Sequence, residues 1–158
     1  MTSVFVNPDD WLTLTFRMTL ALLAGGAVGW NRQIHAKPGG LRTHMLVSLG
    51  AALFVIIPLQ ASVSQSADAL SRVIQGVATG IGFVGAGEIL HQSREDHRKP
   101  QVRGLTSAAA IWLTAALGLE AGCGYWQVCL IGTLMVLGVL SGAKRLEKLL
   151  LVQRDEEN

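Results

Sequence analysis

The sequence predicts an all-α integral membrane protein built from five transmembrane helices. Half of its 158 residues are hydrophobic and only 15% are charged, whereas soluble domains carry about 25% charged residues. Its 18 glycines lie mostly inside apolar runs, where small residues let membrane helices approach each other closely. Five such runs suit a hydrocarbon core of about 30 Å. We therefore predict spans at about residues 11–30, 41–60, 70–90, 104–120 and 125–143.

The first three spans are defined by long stretches that contain one charged residue or none. Residues 11–29 contain a single charge, Arg17. Residues 43–67 contain no Asp, Glu, Lys or Arg, and residues 73–90 contain only Glu88. Each stretch supplies close to the 20 or so mainly apolar residues that a membrane-spanning helix requires.

The fourth and fifth spans are uncharged and follow each other closely in the chain. Only Glu120 and the glycine-rich segment 121–124 separate them. Glycine favours tight turns because it adopts positive φ angles without a steric penalty. The two spans are therefore expected to form a tight helical hairpin.

The distribution of basic residues predicts the orientation of these helices. Three, four and four of the 13 Lys and Arg residues lie in residues 31–42, 91–103 and 144–158, respectively. These segments share one side of a five-span bundle, and cytoplasmic loops are rich in Lys and Arg. We expect the N-terminus outside and the C-terminus in the cytoplasm, with a transmembrane domain at residues 1–143 and a basic tail after it. Because topology explains the positive charge, nucleic acid is not an expected partner.

A weak internal repeat relates the two halves of the bundle. Residues 39–53 and 103–118 both place a Gly-Leu pair at a predicted helix start and continue into a stretch rich in Gly, Ala and Leu. The first and second helices would then repeat, in parallel, as the third and fourth about an axis along the membrane normal. Transporters often bind ligands between such repeats. Chance similarity among helices of this composition is the alternative.

Polar residues gather at the predicted cytoplasmic ends of the first four helices. The N-termini of the second and fourth helices direct free N–H groups towards this region, which favours an anion. A carboxylate there would pair with an Arg or hold a cation. The candidates for a ligand site or ion-pair cluster are Arg42, His44, Glu88, Arg103, Thr106, Asn31 and Arg32.

These candidates are not expected to play equal parts. Arg42, Glu88 and Arg103 are flanked by glycine-rich helices, so we expect them to form an ion-pair cluster inside the bundle. The alternative is that basic side chains extend to lipid headgroups. We expect that second behaviour of four residues in the basic segments, namely Arg32, Lys37, Arg98 and Lys99.

A second polar set, Arg17, Arg72 and Gln75, lies nearer the predicted outer side. Arg17 shares a helix face with Ala21, Ala24 and Val28, so we expect it to face other helices. Charges at membrane depth usually find partners, and the candidates on that side are Asp68 and Glu120. The alternative is that Arg17 extends outward to the membrane surface.

Two pairs of glycines carry the four-residue spacing of close helix packing. Gly25 and Gly29 lie on the first helix, and Gly76 and Gly80 lie on the third. We expect the two pairs to offer matching packing surfaces. The third helix is also rich enough in glycine to be bent or interrupted, with exposed carbonyls lining a pathway.

The sequence offers little to support an enzyme. It contains no nucleophile–base arrangement, no phosphate-binding loop and no set of residues at metal-ligand spacing. Magnesium sites use one or more carboxylates, and Glu88 stands by itself in its span. We therefore expect no enzymatic activity, no cofactor and no metal site within one copy of the chain.

Three blocks of sequence, in order, resemble the MgtC/SapB family. They are Gly40-Leu41-Arg42-Thr43-His44-Met45-Leu46-Val47, Gly80-Ile81-Gly82-Phe83-Val84-Gly85-Ala86-Gly87, and Val102-Arg103-Gly104-Leu105-Thr106 with the Ile111-Trp112 pair that follows. Two positions depart from the family pattern. Asn31 stands where many relatives have Glu, and Glu88 stands where an apolar or small residue is commoner.

The resemblance implies a bacterial inner-membrane protein linked to magnesium limitation and ion homeostasis. Members resemble regulators that act on other membrane machinery, including the proton-driven ATP synthase, rather than magnesium carriers. Virulence-associated members continue into a further cytoplasmic domain, and we expect this chain to be a short form without it. Its expected partners are the lipid bilayer and another membrane protein or a second copy. The alternative function is a small ion transporter or channel with a polar site on the cytoplasmic side.

Overall fold

The computed structural model describes residues 10–60, 66–94 and 102–143, and these residues form helices joined by short turns. Four helices are long and apolar enough to cross a membrane, and the fifth is shorter. The predicted five-helix membrane fold is therefore confirmed, whereas its orientation stays a prediction. The helices are α1 (Trp11–Ile34), α2 (Leu41–Gln60), α3 (Ser66–Arg94), α4 (Leu105–Cys123) and α5 (Trp126–Gly138), which a π-helical turn (Val139–Ala143) extends.

Several sequence predictions fall on other parts of the chain. Arg98, Lys99 and the basic tail at residues 144–158 lie outside the described residues. The boundary between a transmembrane domain and a cytoplasmic tail therefore also stays a prediction.

Local sequence explains where the helices begin and end. The Asp10 carboxylate caps α1 by accepting a hydrogen bond from the Thr13 amide at 3.1 Å. Hydrogen bonds from Thr13 lower the pKa of Asp10 below its ordinary value. At the end of α4, Gly124 adopts a φ of +84°, and the Gly124 and Tyr125 amides donate to the Ala121 and Glu120 carbonyls. This glycine-dependent C-cap turns the chain into α5 and forms the predicted hairpin.

Helix α2 lies at the centre of the bundle, between α1 and α4. A Cβ atom on Gly25 of α1 would lie 2.5 Å from the His44 carbonyl oxygen, and one on Gly29 would lie 2.8 Å from the Leu41 Cα. On the opposite side, a Cβ atom on Gly122 of α4 would lie 2.9 Å from Ala52 Cα. Glycine lets backbones approach this closely in membrane bundles.

Helix α3 lies at the edge of the bundle, packing against α4 and α2. Among its described side-chain positions, Gly85 is the one that is buried, and a Cβ there would meet Ala108 of α4 at 3.3 Å. Cβ atoms on Gly76 and Gly80 would have nothing within 4 Å. The predicted match between the glycines of α1 and those of α3 is therefore wrong, because the α1 glycines face α2. Helix α3 is also continuous rather than interrupted.

The pattern of helix contacts agrees with the predicted repeat. Helix α1 packs on α2, α3 packs on α4, and α2 and α4 contact each other at the centre. A glycine with positive φ precedes both central helices, Gly39 two residues before α2 and Gly104 directly before α4. The symmetry that would relate the two halves stays a prediction.

Candidate functional site

Arg32, at the end of α1, is the centre of a buried polar cluster. Its side chain is 5% exposed, and its Nη2 donates a hydrogen bond to the Ser107 hydroxyl of α4 at 2.6 Å. The Glu88 carboxylate of α3 lies close enough to stabilise the positive charge. Among the described residues, its Nε has no hydrogen-bond partner. The expectation that Arg32 extends to lipid headgroups is therefore wrong.

His44 lies beside this arginine, completely buried between α1 and α4. Its Nδ1 is 3.1 Å from the Gly40 carbonyl. Because a carbonyl only accepts hydrogen bonds, we assign the imidazole proton to Nδ1. Nε2 then presents a lone pair that has no partner in the described part of the chain.

Ser48 lies one helical turn beyond His44 on the same face of α2. Its hydroxyl is also buried and has no partner within the described ranges. Ser48 lies beside Gly25 and Gly118, deeper in the bundle than Arg32, so the cluster itself offers a donor at Arg32 and an acceptor at His44. Buried polar atoms normally have hydrogen-bond partners, so the Arg32 and His44 atoms mark a place where the bundle is able to accept a proton, a water molecule or a small polar ligand.

Two arginines predicted to lie inside the bundle are instead exposed. Arg42 and Arg103 occupy the first turn of α2 and the segment before α4, and both face outward. Arg42 lines a shallow surface pocket of about 490 Å³ beside Gln33. The internal basic residue at this end is Arg32. Glu88, half-buried, is the one member of the predicted internal trio that the structure places near the cluster.

Asn31 and Thr106, the remaining members of the predicted cluster, point elsewhere. The Asn31 amide donates to the Ser141 hydroxyl in the π-helical turn after α5, at 2.9 Å. Thr106 is exposed and lines a groove between α4 and α5. The structure therefore brings together Arg32, His44 and Glu88 from the predicted set, and it adds Ser107.

At the opposite end of the bundle, Arg17 is buried at 4% exposure. Its face of α1 is buried as predicted, together with Ala21, Ala24 and Val28. Nη1 donates a hydrogen bond to the Gly122 carbonyl near the end of α4, at 2.8 Å. Carbonyls in the last turn of a helix lack intrahelical partners, so Arg17 satisfies one of them.

The outer polar set is not brought together. Arg72 and Gln75 are exposed on α3, whereas Arg17 lies between α1 and α4. The Gln75 amide donates to the hydroxyl of Ser71, one turn earlier on its own helix, at 3.2 Å.

Sequence reasoning missed the second glycine pair of the core, Gly118 and Gly122. A Cβ atom on either residue would collide with the α2 backbone. The signal was present, since the pair has the same four-residue spacing as Gly25 and Gly29. Gly122 falls in the segment 121–124 that the sequence predicts as a turn, whereas α4 continues as a helix to Cys123.

No metal-binding group is apparent within the described ranges. A search of these residues finds no cluster of three or more His, Cys, Asp and Glu side chains. What the cluster around Arg32 offers is charge, hydrogen bonding and one imidazole, rather than a ligand set for a divalent cation.

Replacing Ser107 with alanine is expected to destabilise the bundle by about 1.5 kcal/mol. This value is near the upper limit for hydrogen bonds between membrane helices and the lower limit for bonds to charged groups. The buried Arg32 would lose its acceptor. The change in unfolding free energy is measured by SDS titration, with far-UV circular dichroism as the signal.

The control is Ser71→Ala, which alters an exposed serine on α3 and is expected to have little effect. An Arg32→Met background should reduce the effect of Ser107→Ala, because the donor is then absent. An equal effect of Ser107→Ala in both backgrounds would show that the hydrogen bond contributes nothing.

Comparison with known proteins identifies the chain's relatives. It matches the MgtC family over residues 18–149. It is 51% identical to protein SrpB of Synechococcus elongatus over 94% of this chain and 85% of that protein. No solved structure shows significant similarity to it.

Two further relatives are considerably longer than the matched region. The chain is 42% identical to a protein of Escherichia coli named "Putative magnesium transporter YhiD", over 78% of this chain and 57% of that protein. It is 36% identical to protein MgtC of Salmonella typhimurium, over 74% of this chain and 46% of that protein. The chain thus spans about half the length of these two relatives. The match over most of its length nevertheless shows that this membrane protein belongs to the MgtC family.

Proposed function

We propose that this chain is a non-enzymatic regulator in the bacterial inner membrane, linked to magnesium limitation and ion homeostasis. It acts by binding a transmembrane helix of another membrane protein through α3. The observation that carries this proposal is the open face of α3, which is rich in glycine and polar groups.

The chemistry of that face suits a protein helix better than lipid. Gly76 and Gly80 have no atoms within 4 Å of the Cβ position, and they line a cleft of about 490 Å³ beside Gly50 and Phe54 of α2, which leaves space for a second backbone. Gln75 and Thr79 are exposed beside them. Polar side chains are costly against lipid, whereas small residues combined with polar ones are typical of interfaces between membrane helices.

The rest of the bundle supports a binding role for α3. Helices α1, α2 and α4 contact one another and bury a common core, whereas only 6% of the residues in the membrane-spanning part of α3 are buried. A helix this weakly covered has most of its surface available for a partner. The expected orientation, with the C-terminus in the cytoplasm, places the N-terminus of α3 at the outer side.

A photo-crosslinking amino acid at position 79 is expected to capture the partner in cells starved of magnesium. Thr79 lies on the open face between Gly76 and Gly80. The crosslinked product should disappear when Gly80→Leu is added, because the larger side chain blocks close approach of a helix. Western blotting and mass spectrometry of the adduct measure the result.

Two controls make this experiment specific. Gly138→Leu changes a glycine on α5 that is equally open, and it should leave the adduct intact. A crosslinker at Ile57, an exposed position on α2, should give no comparable product. Adducts that form equally well from both positions, or that survive Gly80→Leu, contradict a specific α3 interface. An adduct of twice the chain's mass assigns the face to a second copy instead.

Transport of an ion is the second candidate, and the buried cluster favours it. The Arg32 and His44 atoms that lack partners in the described part of the chain are of the kind found along proton and ion pathways. Among the relatives, the name of YhiD refers to magnesium transport. A regulator leaves ion flux into proteoliposomes at background. A transporter produces flux of magnesium, potassium or protons that falls with Glu88→Gln.

A further inference from the structure

A groove between α4 and α5 is a candidate site distinct from the Arg32 cluster and the α3 face. Its volume is about 390 Å³, within the range of ligand pockets. Thr106 and Glu120 are the only polar residues among those described that line it, and they mark its two ends. The lining between them is apolar, with small residues such as Ala109, Ala116 and Gly132 providing the space.

Glu120 is the unusual residue in this groove. Its side chain is half-buried, and it is the charged residue in a lining that is otherwise apolar except for Thr106 at the far end. Arg17, the buried cation at the same end, is instead engaged with the Gly122 carbonyl. An ionisable residue in a membrane helix is expected to have a partner, and none of the described residues that line the groove is basic.

The dimensions of the groove limit what enters it. Thr106 and Glu120 are 14 positions apart on α4, which corresponds to about 21 Å along the helix. A hydrocarbon chain that lies parallel to the helices fits this length, since one leaflet of a 30 Å core is about 15 Å thick. A protein helix is about 10–12 Å across with its side chains, which is too wide for a groove of this volume.

The charge of the groove selects the headgroup. Glu120 lies three residues before the end of α4 at Cys123, or about 4.5 Å of helix rise, which places the carboxylate near the depth of lipid headgroups. A primary ammonium offers both a positive charge and three N–H donors. A quaternary ammonium offers only the charge, and an anionic headgroup is repelled.

From these observations we propose that the groove binds a phospholipid whose headgroup ends in a primary amine, as in phosphatidylethanolamine. The ammonium group contacts the Glu120 carboxylate, and one acyl chain lies along Ala109 and Ala116 between α4 and α5. This site is separate from the α3 face and does not depend on the function proposed for that face.

Native mass spectrometry of the purified chain tests the proposal. The protein is titrated with phosphatidylethanolamine, phosphatidylcholine and phosphatidylglycerol that have the same acyl chains. We expect the wild type to prefer phosphatidylethanolamine by about tenfold, the value of one good charge-assisted hydrogen bond. Glu120→Gln should remove this preference and leave the weaker binding that the acyl chain provides.

The matched control is Asp68→Asn, which makes the same change of charge in the first turn of α3, outside the groove. It should leave lipid selectivity unchanged. Ala109→Phe fills the groove near its Thr106 end, away from Glu120, and should weaken binding of all three lipids. Ala86→Phe, at an exposed position on α3, should not. Circular dichroism verifies that each variant is folded.

Three results would overturn the proposal. One is equal binding of the three lipids by the wild type. Another is a preference for phosphatidylethanolamine that survives Glu120→Gln. The third is a dimer that Ala109→Phe prevents while lipid binding is unchanged, which would assign the groove to a second copy of the chain.

Discussion

Replacing Gly118 with valine is expected to destroy the packing of α4 against α2, with a loss of at least about 3 kcal/mol. A Cβ atom on Gly118 would overlap the Ser48 carbonyl group and lie 2.8 Å from the Ser48 Cα. Overpacking usually costs about 1–3 kcal/mol when side chains are able to move aside. Here the obstacle is backbone in the middle of a helix, so α4 has to move as a whole. SDS unfolding, combined with size-exclusion chromatography of the detergent-purified protein, measures the loss.

Two other glycines serve as matched controls. Gly80 on α3 and Gly138 on α5 have no atom within 4 Å of the Cβ position. Valine at either site makes the same change in helix propensity, which amounts to a few tenths of a kcal/mol. If Gly80→Val and Gly138→Val are as damaging as Gly118→Val, the close contact between α4 and α2 is not what stabilises the bundle.

The sequence predicted the helices well because run length and charge depend on the membrane and not on neighbouring helices. A run of about 20 apolar residues must form a helix in a bilayer. The hairpin between α4 and α5 was equally predictable, since Gly124 is placed where the chain requires a positive φ.

The pairing of helix faces was harder to predict, because a four-residue glycine spacing identifies a surface and not its partner. Gly25 and Gly29 were expected to match Gly76 and Gly80, which have the same spacing. In the structure the α1 pair contacts α2, where His44 and Ser48 fill the space beside it. Which surface a glycine pair meets depends on the rotation of every helix in the bundle, and sequence spacing alone does not determine that.

The choice of the internal arginine illustrates the same limit. Arg32, Arg42 and Arg103 are all expected at one membrane surface, so depth does not distinguish them. The face of the helix does distinguish them. Arg32 lies seven residues after Gly25 and three residues after Gly29, so it shares the face of α1 that packs against α2 and α4. Considering the face of α1 as well as the depth would have placed Arg32 inside the bundle.

Arg17 and Arg32 together connect α1 to α4 at both ends. Arg17 donates to Gly122 and Arg32 donates to Ser107. Each pair of positions is 15 residues apart, about 22 Å along a helix, and the order is reversed on α4. The two contacts therefore fix the antiparallel register of α1 and α4, because a slip by one turn would break both.

Replacing Arg17 with methionine is expected to destabilise the protein by about 2–3 kcal/mol. Methionine fills much of the same volume but leaves the Gly122 carbonyl without its donor, and a lost hydrogen bond to a charged group costs about 1.5–3 kcal/mol. The damage should be largest at the turn between α4 and α5, because the Arg17 guanidinium also packs 2.8 Å from the Cβ position of Gly124. SDS unfolding measures the loss of stability. Hydrogen exchange of the Gly124 and Tyr125 amides measures the damage to the turn.

Two further substitutions separate the hydrogen bond from the charge. Arg17→Lys keeps the charge but loses the planar guanidinium with its several donors, so it should recover only part of the stability. Arg72→Met removes an exposed arginine of α3 and should change stability by less than about 0.5 kcal/mol. If Arg17→Met and Arg72→Met have the same small effect, the contact with Gly122 does not hold the end of α4. If Arg17→Lys is as stable as the wild type, the positive charge matters at this helix end and the geometry of the guanidinium does not.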